Sequence, residues 1–242
     1  MDFLKKKVDP WIRLYSVIPL ISVFTFNCLI YWGTMALTEN RYHFDFTTEL
    51  DRKVPLLPWT ILIYLGCYLF WIVNYILTGH LKKEEFYRFI TADLMSRTIC
   101  GIIFLVLPTT NVRPELPSDS IFTPMMQWLW NTDQAANLFP SIHCLVSWMC
   151  FIGIRGKHQF PRWYRWFSCV FAVAVFLSTQ TTKQHYLVDV IGGVALAEGC
   201  FWVAHHTELY QKVMRIFEAV NHKIWKEDKG CVPGSAAENK EG

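Results

Sequence analysis

The sequence predicts an all-α polytopic membrane protein, built as a bundle of six transmembrane helices. The first reason is composition, because 52% of the 242 residues are hydrophobic and only 18% are charged, against about a quarter in soluble domains. The second is that the apolar residues gather into runs close to the roughly 20 residues that a helix needs to cross a bilayer. The formal net charge of +3 is too small to indicate a nucleic-acid partner.

Six apolar runs define the expected membrane domain, which we place at residues 17–206. The expected spans are 17–38, 59–78, 87–107, 138–154, 165–181 and 186–204. The fourth and fifth runs are short for a span, so their limits are the least certain. The remaining 207–242 are expected to form a cytoplasmic tail. Its end is rich in Lys, Glu, Gly and Ala, a composition typical of disorder.

The first 16 residues have an amphipathic composition. Phe3, Leu4, Val8 and Trp11 are mixed with four basic residues. Such a segment favours a helix that lies on the anionic inner leaflet, with its apolar side in the interface. We therefore expect an interfacial segment at 1–16.

The distribution of Lys and Arg predicts the orientation in the cell membrane. With the N-terminus inside, the inner segments carry 17 of the 23 Lys and Arg residues and the outer segments carry five. Because cytoplasmic loops are enriched in positive residues, both termini are expected to be cytoplasmic. The two motifs described next then fall on the extracytoplasmic side.

One candidate for chemistry is the pair formed by His185 and Asp189, at the edge of the last span. Ionisable groups are costly at such positions and are functional candidates by default. Residues four apart share a helix face, so the Asp189 carboxylate can accept from one ring nitrogen of His185. This fixes the tautomer and leaves the other nitrogen as a nucleophile. The alternative is a pair that only satisfies itself at a helix end.

The second candidate is His143, which opens the fourth span just after Pro140 and Ser141. Proline fits the first turn of a helix, and the free amides of that turn attract phosphate. Ser141 adds a hydroxyl donor, and His143 is placed to protonate a leaving oxygen. The alternative is a capping or solvated histidine.

Two cations near these motifs are candidates for binding phosphate oxygens. Arg113 can do so through its planar fork and Lys183 as a point charge, although Arg113 can equally be an ordinary loop charge. Asp189 is the only carboxylate in this set, whereas a two-metal phosphatase needs several. We therefore expect no metal and no cofactor.

The motifs resemble those of the type-2 phosphatidic acid phosphatase and haloperoxidase superfamily. That family has Lys-x6-Arg-Pro, then Pro-Ser-x-His, then Ser-Arg-x5-His-x3-Asp. The run Pro140-Ser141-Ile142-His143 matches the second motif in full, and His185-x3-Asp189 matches the end of the third. Ser178 also stands seven residues before His185. The resemblance extends from about residue 87 to 204, in the family's order.

Two positions depart from the family pattern. Val106 stands at the lysine of the first motif, which keeps only Arg113-Pro114, and Thr179 stands at the arginine of the third. Two phosphate-binding cations are therefore missing, and Lys183 is a replacement candidate for one. A lysine just upstream of a His-Tyr-x-Val-Asp string is similar to the sphingomyelin synthase and inositol-phosphoceramide synthase branch.

The resemblance implies a six-helix bundle with its site at the outer end. It also implies that His185 attacks phosphorus, Asp189 orients it and His143 protonates the leaving alcohol. The leading hypothesis is a lipid phosphatase whose partners are the membrane and a lipid phosphate. The alternatives are a lipid headgroup phosphotransferase and a non-catalytic transporter or scramblase. Whether the chain forms a homo-oligomer stays open.

The transporter or scramblase alternative would depend on a second set of charges within the spans. Asp93 and Arg97 are four residues apart in the third span, and Glu198 lies in the sixth. They predict either a structural ion cluster or a path for ions or protons. Glu198 is nine residues after Asp189 and should face the other side of the helix.

Overall fold

The computed structural model describes residues 12–225, and this part of the chain is mostly helical. It contains nine α-helices, one 3-10 helix and one two-stranded sheet. In chain order these are α1 (Leu14–Thr38), β1 (Phe44–Asp45), α2 (Glu49–Lys53), the 3-10 helix (Pro58–Thr60), α3 (Ile61–Thr78), α4 (Lys83–Val106), β2 (Thr109–Thr110), α5 (Thr123–Thr132), α6 (Ile142–Ile154), α7 (Arg162–Thr181), α8 (Leu187–His206) and α9 (Leu209–Trp225).

Each of the six expected spans forms one helix, namely α1, α3, α4, α6, α7 or α8. Four segments are long and apolar enough to cross a membrane: Leu14–Thr38, Pro58–Thr78, Lys83–Val106 and Leu187–His206. Helix α6 has only 13 residues, and α7 does not reach that combination of length and hydropathy. The chain is thus helical with apolar helices of membrane-spanning length, and the number six stays a prediction.

Two predictions concern the ends of the chain. Most of the expected interfacial segment lies outside the described residues, and residues 14–16 belong to α1. The expected cytoplasmic tail contains α9, which the sequence analysis did not predict. Helix α9 packs against α4 and α1, where Tyr87 donates to Glu218 at 2.7 Å and Asn221 donates to the Tyr15 carbonyl at 2.9 Å. Residues 226–242 lie outside the described residues.

Helix α6 is surrounded by protein. It packs against α3, α7 and α8, and 11 of its 13 residues are buried. A helix that is apolar on all sides is expected in such a position. Its neighbour α4 contributes the rest of the core, with Phe86, Phe89 and Ile90 fully or almost fully buried.

The long connections meet at one end of the bundle. Strands β1 and β2 pair in parallel there, and the amide of Leu57 donates to the Thr181 carbonyl at 3.0 Å. Asn111 donates to the Lys183 carbonyl at 3.1 Å. These segments are the ones that the charge distribution assigns to the outer side. The N-termini of α6 and α8 lie at the same end of the bundle.

Candidate active site

The two histidines of the motifs meet at this end of the bundle. Nδ1 of His143 lies 3.3 Å from Nε2 of His185, and the two residues are only 9% and 7% exposed. His143 belongs to the first turn of α6, and His185 lies in the loop before α8. The structure therefore joins two motifs that are 42 residues apart in the sequence.

Local backbone contacts explain how the two motifs come together. Ser141 is the N-cap of α6, and its hydroxyl oxygen accepts from the Cys144 amide at 3.2 Å. The Ser141 amide donates to the Asp189 carbonyl at 3.0 Å, which ties α6 to the first turn of α8. Gly193 permits this approach, because a Cβ there would lie 2.6 Å from the Ser141 carbonyl oxygen.

His185 and Asp189 lie side by side, although His185 belongs to the loop before α8 and not to the helix that their spacing assumed. Nδ1 of His185 is 3.5 Å from Oδ2 of Asp189, which is longer than a good hydrogen bond. The same Oδ2 accepts from the Tyr186 amide at 2.9 Å. The carboxylate is thus anchored by the backbone and lies beside the ring nitrogen at ionic contact distance. Nε2 of His185 faces the other histidine.

A second carboxylate, Asp133, also belongs to this constellation. Oδ2 of Asp133 accepts from the Tyr64 hydroxyl at 2.7 Å, and that hydroxyl lies 2.9 Å from Nε2 of His143. Tyr31 donates to Oδ1 of Asp133. The expectation that Asp189 is the only carboxylate of the site is therefore wrong, because folding brings in Asp133 from the end of α5.

The surroundings of Asp133 favour its ionised form. Burial raises the pKa of its carboxyl, but the charge of nearby His143 and the hydroxyl donors Tyr31 and Tyr64 outweigh burial. The pKa therefore lies below its ordinary value. The carboxylate consequently accepts hydrogen bonds and does not donate one.

Aromatic side chains of α3 surround the imidazole of His143. The centroid of this imidazole lies 4.6, 5.5 and 6.1 Å from the ring centroids of Tyr64, Trp71 and Tyr68. The Tyr68 hydroxyl is 3.4 Å from Nε2. The sequence indicates this aromatic cluster, since its three residues follow each other at spacings of four and three. That spacing places them on one helix face.

Arg113, predicted to bind phosphate, reaches the edge of this cluster. Its guanidinium donates to the carbonyls of Trp130 and Asp133 at 3.0 and 2.7 Å, and to Oε1 of Gln184 at 2.8 Å. Burial lowers the pKa of Arg113, and the charge of Asp133 partly opposes this effect. Nε of Arg113 is buried and makes no hydrogen bond among the described residues.

Lys183, the other predicted cation, contacts the segment that connects α1 to the 3-10 helix. Its ammonium donates to the carbonyls of Asp51 and Val54 at 3.0 and 2.6 Å. Burial lowers its pKa, while the Asp51 charge acts in the opposite direction. Two of the three donors of an ammonium are thus used, and the structure does not bring Lys183 into hydrogen bonding with either imidazole.

The positions that depart from the family pattern have other roles here. The carbonyl of Thr179 accepts from the amides of Gln184 and His185 at 2.9 and 3.0 Å, so it shapes the loop that carries the nucleophile candidate. Val106 is 71% exposed.

Within residues 12–225, no three His, Cys, Asp or Glu side chains form a group able to hold a metal ion.

The charges that favoured a transporter do not form one cluster. Arg97 and Asp93 form a buried ion pair at 3.0 Å, to which the Tyr75 hydroxyl donates at 2.8 Å. Glu198 instead accepts from Arg155 at 2.7 and 2.9 Å and from Trp148 at 2.8 Å. Asp93 and Arg97 therefore form one ion pair, and Glu198 belongs to a second, separate one.

Comparison with known proteins gives one match. A protein-family model described as PAP2_3, PAP2 superfamily, matches residues 33–203, which is well over half of the chain. No curated protein and no solved structure gives a match.

Proposed function

The chain belongs to the PAP2 superfamily, and from this membership we propose that it is an integral membrane lipid phosphatase. The reaction is hydrolysis of a lipid phosphomonoester or diphosphate through a phosphohistidine, at the outer membrane face. The observation that carries the proposal is the contact between Nδ1 of His143 and Nε2 of His185, with Asp189 beside the far nitrogen of His185.

In the first half of the reaction, His185 is the nucleophile. The lone pair on its Nε2 forms a bond to phosphorus, and the bond between phosphorus and the lipid oxygen breaks. His143, protonated on Nδ1, gives that proton to the departing oxygen, so the lipid alcohol leaves neutral. The charge of Asp189 stabilises the positive imidazole ring that attack creates.

In the second half, water completes the hydrolysis. His143 is now neutral and takes a proton from the water as its oxygen attacks phosphorus. The bond between phosphorus and Nε2 of His185 breaks, and inorganic phosphate leaves. Both histidines then return to their starting protonation states.

Phosphate oxygens need donors in this site, and three residues are proposed for that role. Arg113 has an unpaired Nε, Lys183 has one ammonium donor beyond the two bound to carbonyls, and Ser141 stands at the N-terminus of α6, where amides attract anions. The distribution of Lys and Arg supports an outer location of the site.

A second candidate function is transfer of a phospho-headgroup between lipids. It is favoured by the absence of two cations of the hydrolase pattern, at Val106 and Thr179, and by Lys183 just before the His185 motif. A lipid alcohol would then replace water in the second half. All other bonds formed and broken would be the same.

The experiment uses purified full-length protein in nanodiscs with a panel of lipid phosphates and phospholipids, with and without lipid alcohol acceptors. The matched inactive control is His185→Ala. Release of inorganic phosphate that is lost in the control supports hydrolysis, and a new headgroup lipid supports transfer. A folded protein that gives neither product with any substrate overturns both functions.

A further inference from the structure

Asp133 and Tyr64 form a chain of hydrogen bonds that ends on Nε2 of His143, the ring nitrogen that faces away from His185. Oδ2 of Asp133 is 2.7 Å from the Tyr64 hydroxyl, and the hydroxyl is 2.9 Å from Nε2 of His143. Tyr64 is completely buried, so its hydroxyl is shielded from water. Tyr31 holds the other carboxylate oxygen from α1.

The hydrogen bonds that join Asp133, Tyr64 and His143 have one consistent arrangement of protons. A tyrosine hydroxyl has a single proton, and a carboxylate can only accept. The Tyr64 proton therefore goes to Asp133, and the hydroxyl oxygen is left as the acceptor for His143. The bond to His143 then requires a proton on Nε2, so the neutral ring has its lone pair on Nδ1.

We propose that Asp133 and Tyr64 are positioning residues that make His143 the proton donor of the site. Tyr64 holds the Nε2 proton and thereby aims Nδ1 at the reacting oxygen. Asp133 supplies a negative charge that favours the imidazolium over the neutral ring. This inference rests on the proposed function, since it assigns a cause to the proton transfer in that reaction.

The proposal gives each histidine its own carboxylate. Asp189 lies beside Nδ1 of His185 and frees Nε2 for attack, while Asp133 acts through Tyr64 on Nε2 of His143 and leaves Nδ1 for proton transfer. When Nδ1 gives its proton to the leaving oxygen, the Nε2 proton stays on the ring, hydrogen-bonded to the Tyr64 oxygen. Tyr64 and Asp133 keep their own protonation throughout, so the ring is ready to take a proton back from water.

The competing explanation is structural. Tyr31 lies on α1 and Tyr64 on α3, so Asp133 also links two helices, and its loss can loosen the bundle. A loosened bundle should slow every substrate alike. Loss of a proton donor should instead harm substrates with poor leaving groups most, since these need the proton.

The test compares Tyr64→Phe and Asp133→Asn with Tyr75→Phe. Tyr75 is the matched control, because it lies on the same helix and donates to a buried carboxylate, Asp93, at 2.8 Å. Each variant is assayed with an alkyl phosphate lipid and with p-nitrophenyl phosphate, whose leaving group needs little protonation. Thermal unfolding of each variant is measured alongside.

We expect both test variants to lose about tenfold or more with the alkyl substrate, as part of the roughly 100-fold or more that a general acid contributes. The loss with p-nitrophenyl phosphate should be clearly smaller. Asp133→Asn should also shift the alkaline limb of the pH–rate profile to lower pH, because the imidazolium loses a neighbouring negative charge. Tyr75→Phe should show neither effect.

Equal losses with both substrates, or an unshifted profile in Asp133→Asn, would overturn the inference and leave the phosphatase proposal standing. The proposed function fails separately, if wild-type protein cleaves no phosphoester or if His185→Ala retains activity. Retention of full alkyl-substrate activity in Tyr64→Phe would also overturn the inference.

Discussion

His143 and His185 touch through the two ring nitrogens that the proposed reaction uses, at 3.3 Å. A phosphoryl group on Nε2 of His185 needs the space that Nδ1 of His143 now occupies. Substrate binding must therefore separate the two rings by the thickness of a phosphate.

The nucleophile prediction concerns His185 and its partner Asp189. His185→Ala should reduce turnover to background, because no other group takes the place of Nε2. Asp189→Asn should also lower turnover strongly, since an amide can donate to Nδ1 and favour the wrong tautomer. The measurement is a brief pulse with phosphate-labelled lipid, followed by mapping of acid-labile, base-stable label. Label on a residue other than His185 would contradict the mechanism.

The proton-donor prediction concerns His143 itself. His143→Ala should slow cleavage of an alkyl phosphoester roughly 100-fold or more, the range of a general acid. A substrate with a good leaving group should be affected less. The readout is the ratio of kcat/KM for the two substrates, with wild type as the reference. An unchanged ratio would assign His143 some other role.

The packing prediction uses two glycines of α8. Gly193→Ala places a Cβ 2.6 Å from the Ser141 carbonyl oxygen and 3.2 Å from the Leu145 amide nitrogen. Both are backbone atoms, which cannot relieve the contact by a change of rotamer. Overpacking of this kind costs about 1–3 kcal/mol. Gly199→Ala meets nothing within 4 Å and should be neutral or gain about 0.5–1 kcal/mol from helix propensity.

Thermal unfolding and activity measure the effect of both glycine variants. The two motifs meet at Ser141, so Gly193→Ala should lose activity together with stability, while Gly199→Ala keeps both. Equal melting temperatures in the two variants would show that the α6–α8 approach tolerates a side chain.

The topology prediction follows from the Lys and Arg distribution. Ser118→Cys should react with an impermeant reagent added outside intact cells, and Gln159→Cys should react only after the membrane is opened. Both positions are exposed, and the unmodified protein controls for the native cysteines. Inverted labelling would place the site on the cytoplasmic side.

The metal prediction is that activity survives a strong chelator. The proposed mechanism uses two imidazoles and neighbouring cations, so no step requires a divalent ion. Phosphate release before and after chelation, with magnesium and zinc added back, measures this. Loss on chelation with recovery on addition of either metal would refute the prediction.

The sequence by itself determined the family and the positions of the six apolar helices. Apolar runs of fixed length and the short spacings within the two motifs are local properties, which can be recognised along one stretch of sequence. The family match confirms the PAP2 superfamily, while substrate, orientation and the number of spans stay predictions.

Only the tertiary structure decided which distant residues complete the site. Asp133 lies in no motif, and its role comes from tyrosines of α1 and α3 that no sequence spacing relates to it. Lys183 has the right type and place in the sequence, yet its donors reach the carbonyls of Asp51 and Val54. Contacts between separate helices depend on how their faces pack, and a pattern along one segment does not contain that information.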